Sequence, residues 1–272
     1  MVPPLSPFSV PAAAGVPPWP DPEIGRWVTL PPREEGQVPL VSWFALPPQG
    51  PPRAALLVLP EVFGVNAWLR SVAGRLALAG YAALALPLFS RTAPRLELGY
   101  DEAALREGRS HKDRTTSEAL VADLTLAADW LSEALPDLPE GQGCVGFCFG
   151  GHVAMLAASL PRVRASCAFY GAGVATGRPG GGPPTLDSLA TVSGRLLCVC
   201  GRQDELIPPQ ELAAIEAALG TASQGRRPGE EHRLLTLEAG HGFLCEARKD
   251  FHPTAAAAGW KAMLAFFAES LG

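Results

Sequence analysis

Short apolar runs bounded by glycine or proline alternate with helix-period segments along most of this chain, and that alternation most narrowly limits what it can become. "RWVTLPP" and "VPLVSWFALPP" read as two short antiparallel strands, and "AALLVLP" as a strand buried on both faces. "AWLRSVAGRLALAG" has helical spacing with Gly80 placed to end it, "YAALALPLF" is a second buried strand, and "TTSEALVADLTLAADWLSEAL" is a long amphipathic helix capped by Thr116 or Ser117. "GCVGF", "ASCAFYG", "RLLCVCG" and "HRLLTLEAG" continue as strands, with "GGHVAMLAASL", "PPQELAAIEAALG" and "PTAAAAGWKAMLAFFAESL" as the helices between and after them. The expected class is α/β, a mostly parallel central sheet with helices on both faces. Two polar or Gly/Pro-rich stretches, roughly 91–114 and 173–185, break the alternation and read as loops that line a site.

The chain has 272 residues, 47% hydrophobic and 18% charged, enough to bury a large core in one compact domain. Residues 1–24 are crowded with proline and read as an extended leader, leaving 25–272 as the folded unit. A formal net charge of -5 argues against nucleic acid or an anionic membrane as partner, so a small molecule is the expected one. The N-terminus lacks a basic segment ahead of an apolar one, and no apolar run reaches membrane-spanning length. Six cysteines fall mostly inside strand-like runs without C-x-x-C spacing, which points to a reducing, cytoplasmic setting and to no metal or other cofactor. Oligomeric state is not legible.

Ligands of an open parallel sheet gather at the carboxyl ends of its strands. Four titratable residues follow predicted strands there: Glu61, Cys148, Asp204 and His241. The last three run in the order nucleophile, acid, histidine, and Cys148 occupies the central position of a G-x-C-x-G turn between strand and helix, where G-x-S-x-G enzymes carry their serine. Gly146 and Gly150 let backbone pass close to a strained residue, Gly151 lets the helix approach the strands, and the helix N-terminus favours thiolate. His241 is then the proton acceptor and Asp204 the group that holds its tautomer, with Glu205 as a rival acid. The backbone amides of Phe149 and Val62 are the expected oxyanion donors. The competing readings are plain ones: Cys148 as a small buried thiol, Glu61 as a helix cap, and His111, His152, His232 and His252 as structural histidines.

The stretches "LPEVFGVNAWLRSVAGRLALAGYAALALPLFSR", "VGFCFGGHVAMLAA", "FYGAG", "GRQDELIPP" and "EAGHGF", in this order and spacing, resemble the dienelactone hydrolase family, the carboxymethylenebutenolidase-like branch of the α/β-hydrolases. The resemblance implies a thiol nucleophile at Cys148 with Asp204 and His241 as partners, and a glutamate in the P-E-x-F-G turn, Glu61, that takes the thiol proton as substrate arrives. It implies hydrolysis of a small ester or enol-lactone through an acyl-thioester. Family members acting on dienelactone hold the substrate carboxylate with two arginines. Arg106 falls at the first position, in what reads as a loop; the second position is Cys245, with Arg248 three residues on. Two alternatives stand beside this expectation: a carboxylesterase for neutral short-chain esters, and a thiol redox sensor.

Overall fold

The computed structural model describes residues 24–139 and 141–272; all but the last residue of the proline-rich leader lies outside them. Eight strands form one sheet in the order β1-β2-β4-β3-β5-β6-β7-β8. β1 (Arg26–Leu30) and β2 (Leu40–Ala45) pair antiparallel, and β2 pairs antiparallel with β4 (Ala82–Ala85). Every other neighbouring pair is parallel, through β3 (Ala55–Leu59), β5 (Gln142–Phe147), β6 (Val163–Phe169), β7 (Arg195–Gly201) and β8 (Arg233–Leu237). All residues of β3 and β5 are buried, as continuous apolar runs covered on both faces must be.

The covering helices are α1 (Ala67–Leu78), α2 (Glu102–Lys112), α3 (Ser117–Ala134), α4 (Phe149–Ala157), α5 (Pro209–Ala222) and α6 (Pro253–Leu271). Local chemistry sets their ends. The Asn66 side chain caps α1 at the Leu69 amide, which removes Glu61 from that role. Gly80, at φ +94, closes the same helix: its amide donates to Ala77 and that of Tyr81 to Leu76, the paired bonds of a Schellman turn. Thr116, not Ser117, caps α3 through the Ala119 amide.

One expectation fails in part. The stretch 91–114 is not simply loop, because it contains α2, and the 173–185 stretch runs into a 3-10 turn over Thr185–Thr191. Only Ala104, Gly108 and His111 of α2 are buried, so the helix lacks the apolar stripe by which a surface helix is read.

Strand register brings the four titratable positions together. Leu59 pairs with Gly146, so β3 and β5 release the chain side by side, one toward Glu61 and the other into Cys148. Phe147 pairs with Phe169 and Gly201 with Leu237, which brings Tyr170, Asp204 and His241 to the same end of the sheet.

Candidate active site

The turn at Cys148 is built by close backbone contact. Cys148 has φ 54, a left-handed conformation unfavourable for a residue with a Cβ, and its amide is held by the carbonyl of Phe169 at 3.1 Å. A Cβ at Gly146 would overlap the carbonyl of Gly150; one at Gly150 would strike the carbonyls of Leu59 and Pro60; one at Gly151 would strike that of Phe169. Helix α4 thus starts directly against the ends of β3, β5 and β6. Among the described residues the amides of Phe149 and Val62 donate to no acceptor of the chain.

Asp204 is buried, while its rival Glu205 is exposed. Asp204 Oδ2 lies 2.8 Å from His241 Nδ1, and Oδ1 accepts the Leu206 amide at 2.9 Å, so the carboxylate is fixed at both oxygens. Burial alone would lower the His241 pKa, but hydrogen bonding and charge at Asp204 and Cys148 outweigh it and raise it to about 10. Nε2 of His241 is buried and forms no well-aligned hydrogen bond, so the influence of Cys148 on the ring is that of a near neighbour. The other histidines have structural partners. His111 meets Thr92, His152 bonds to Ala172 and Thr185, His232 accepts the Leu196 amide and His252 caps α6. Burial lowers His152 and His232 to about 4, so both are neutral.

Glu61 is 2% exposed. Its Oε1 accepts from Arg248 Nη1 at 2.9 Å and its Oε2 has no partner. Burial pushes the carboxyl above its ordinary range even though the charges of Arg248 and His241 pull the other way. Gly242 makes room for Arg248, because a Cβ there would lie 2.6 Å from the guanidinium carbon. Arg248 therefore reaches inward, to Glu61, with Asp250 as a second partner at 3.4 Å.

Arg106 does not reach inward. It sits on α2 with 73% of its side chain exposed and pairs loosely with Glu102, one helical turn back. The carboxylate clamp expected from the two-arginine pattern is thus not assembled at this position. Cys245, at the other position of that pattern, is fully buried, and burial holds its thiol well above the ordinary range.

The loop that carries His241 and Arg248 is anchored from beneath. Glu246 accepts from Trp68 Nε1 at 2.7 Å and pairs with Arg75 at 2.6 Å, both on α1, and the Arg75 side chain is fully buried. Tyr170, which the sequence did not single out, stands edge-on to His241 with ring centroids 5.2 Å apart. A cavity of about 470 Å³ opens beside Phe149, lined by Lys112, His152, Ala172, Thr176 and Arg178, so both interrupting stretches reach it. A larger one, about 640 Å³, lies at the amino ends of the strands among Arg195, Arg226 and Glu269, away from these residues. Among the described residues no group of three or more His, Cys, Asp or Glu is placed to hold a metal ion, and no helix is long and apolar enough to cross a membrane.

Comparison with known proteins bears on the family and the fold. The sequence profile of the dienelactone hydrolase family matches residues 42–271. A carboxymethylenebutenolidase-type protein of Synechocystis sp. is 36% identical over 218 residues, covering 79% of this chain and 86% of the relative. Among solved structures, a dienelactone-hydrolase-type protein of Klebsiella pneumoniae superimposes with a TM-score of 0.77 at 26% identity, covering 90% of this chain and 98% of that one. A dienelactone hydrolase-like promiscuous phosphotriesterase from metagenomic libraries shares the fold, with a TM-score of 0.67 at 23% identity and coverage of 91% and 98%.

Proposed function

This chain belongs to the dienelactone hydrolase family, and on that premise we propose that it hydrolyses a small ester or lactone with Cys148 as nucleophile, through an acyl-thioester. The family makes it an α/β-hydrolase acting on ester or lactone bonds. The observation that carries the finer reading is the Asp204–His241 hydrogen bond of 2.8 Å with Nε2 left unpartnered next to Cys148, which stands at a left-handed turn.

The mechanism follows from the charges. His241, raised to about 10 by Asp204 and by Cys148 in its charged form, favours an imidazolium–thiolate pair, and the thiol proton must leave for that pair to form. Glu61 is its acceptor once a substrate draws it away from Arg248: the S–H bond breaks, an O–H bond forms on the carboxylate, and the thiolate is left facing a cation. The thiolate attacks the substrate carbonyl while the amides of Phe149 and Val62 receive the developing negative charge. His241 Nε2–H then protonates the departing oxygen, giving the acyl-thioester. The neutral imidazole takes a proton from water as the water oxygen bonds to the acyl carbon, the C–S bond breaks to release the acid, and the thiolate recovers its proton from Glu61. The cavity beside Phe149 is the place for the larger substituent of the substrate.

With Arg106 exposed, Arg248 is the cation beside Glu61, and its contact with that carboxylate is the one a substrate has to break. Reaction of the protein with p-nitrophenyl acetate, quenched within one turnover and digested for mass spectrometry, tests the chemistry. An acetyl group on the peptide carrying Cys148 is the expected result; acetylation elsewhere with Cys148 unmodified overturns it.

A further inference from the structure

Two non-glycine residues among the described ones have left-handed backbone, and they stand on neighbouring strand ends: Cys148 after β5 at φ 54 and Tyr170 after β6 at φ 38. The amide of Cys148 donates to the carbonyl of Phe169, the residue before Tyr170, so one hydrogen bond joins the two turns. Such a conformation is costly for a residue with a Cβ. The Tyr170 hydroxyl adds a second cost, because it is buried with no partner in a residue that is 0% exposed, and desolvating a hydroxyl without a hydrogen bond is unfavourable. Phenylalanine would pack equally well among Phe147, Phe169 and Phe243 without that second cost.

What surrounds the hydroxyl gives it a use. Glu61, Cys245, Arg248 and Cys148 all act electrostatically on it, and burial keeps it protonated well above the ordinary range. Glu61 Oε2 is likewise buried without a partner. A donor without an acceptor and an acceptor without a donor therefore lie within the same set of side chains, while Arg248 holds the other carboxylate oxygen at 2.9 Å.

We propose that Tyr170 is a positioning residue for Glu61: its hydroxyl donates to the carboxylate once Glu61 leaves Arg248, and holds it against the Cys148 thiol for the proton transfer. Tyr170 keeps its own proton throughout; the one proton that moves goes from sulfur to Glu61. The inference rests on Cys148 as nucleophile and Glu61 as its proton acceptor. It explains why a strained turn and an unsatisfied hydroxyl are both retained at this one residue, since the hydrogen bond that rewards them forms only during the reaction.

The test is Tyr170→Phe alone and combined with Glu61→Gln, using p-nitrophenyl acetate, rapid-mixing measurement of the p-nitrophenolate burst, steady-state KM, and thermal denaturation. The expected result for Tyr170→Phe is a burst rate lower by about tenfold, the worth of one hydrogen bond, with KM unchanged and the melting temperature equal or higher. In the Glu61→Gln background the same change should alter the burst rate by less than about twofold, because glutamine cannot take the thiol proton and leaves the hydroxyl nothing to position for transfer. An unchanged rate, an equal loss in both backgrounds, or a loss accompanied by a lower melting temperature overturns the assignment. Cys148→Ala run alongside separates the two levels: a surviving burst there removes the nucleophile itself, whereas its absence confines any failure to Tyr170.

Discussion

Arg248 holds Glu61 by a single contact, Nη1 to Oε1 at 2.9 Å, across 187 positions of sequence. The carboxylate is almost fully buried and its second oxygen is unsatisfied, so this one guanidinium provides most of what keeps a charge tolerable there.

Replacing Arg248 with methionine should therefore destabilise the fold by about 2–4 kcal/mol at pH 8 and by much less at pH 5. The sign follows from the direction of the Glu61 shift. A carboxyl whose folded pKa lies above its unfolded one contributes stability below the unfolded value and loses it as pH rises through the folded value, and removing the cation moves that folded value higher. Urea denaturation at the two pH values decides; an equal loss at both would show that Glu61 is not the group left uncompensated.

Cys148→Ala should lower p-nitrophenyl acetate hydrolysis by about 10³-fold or more while leaving the melting temperature near that of the parent, since alanine needs the same left-handed backbone and no more space. Hydrolysis at the parental rate by the variant would end the thiol reading.

Asp204→Asn should bring the His241 imidazole well down from about 10, because burial is then opposed by Cys148 without the carboxylate. Titration of the ring followed by NMR measures it. In the parent, His241 stabilises the fold fully below about pH 6.5 and progressively less as pH rises through about 10, and the asparagine variant should lack that alkaline loss. A ring that still titrates near its parental value would place the cause of the shift elsewhere.

Arg106→Ala should leave kcat/KM within about twofold for a carboxylate-bearing lactone and a neutral ester alike, as befits an exposed arginine with one loose helical partner. A selective loss on the lactone would show that the arginine turns inward when substrate binds.

Gly146→Ala should cost about 3 kcal/mol or more, seen as a melting temperature lower by about 6–12 °C, because the added Cβ meets the carbonyl of Gly150 and backbone cannot yield as a side-chain tip can. A variant as stable as the parent would mean the turn can reshape around a methyl group.

Sequence pattern reached the sheet, five of the six α-helices among the described residues and the strand-end cluster, because each of these is written locally: apolar runs of strand length, helical spacing, and glycines that only a close crossing requires. What it left out depends on distant chain. Helix α2 has an N-cap, Asp101, but hardly any apolar face, so the stretch reads as loop and Arg106 appears free to reach the site. That Arg248 points at Glu61 depends on Gly242 giving it room, and that Tyr170 is strained depends on how β6 ends beside β5. Nothing near either residue in the sequence announces it.

The anchoring of Glu246 to Arg75 and Trp68 decides how heat reaches this site. A loop tied down only at its surface can open alone while the rest stays folded, and an enzyme built that way loses activity well before it loses structure. Here the segment from His241 to Arg248 cannot lift without parting a buried ion pair from α1, so it is expected to open together with that helix. The working end of the protein and its core then fail in the same cooperative event, and inactivation and unfolding share one transition.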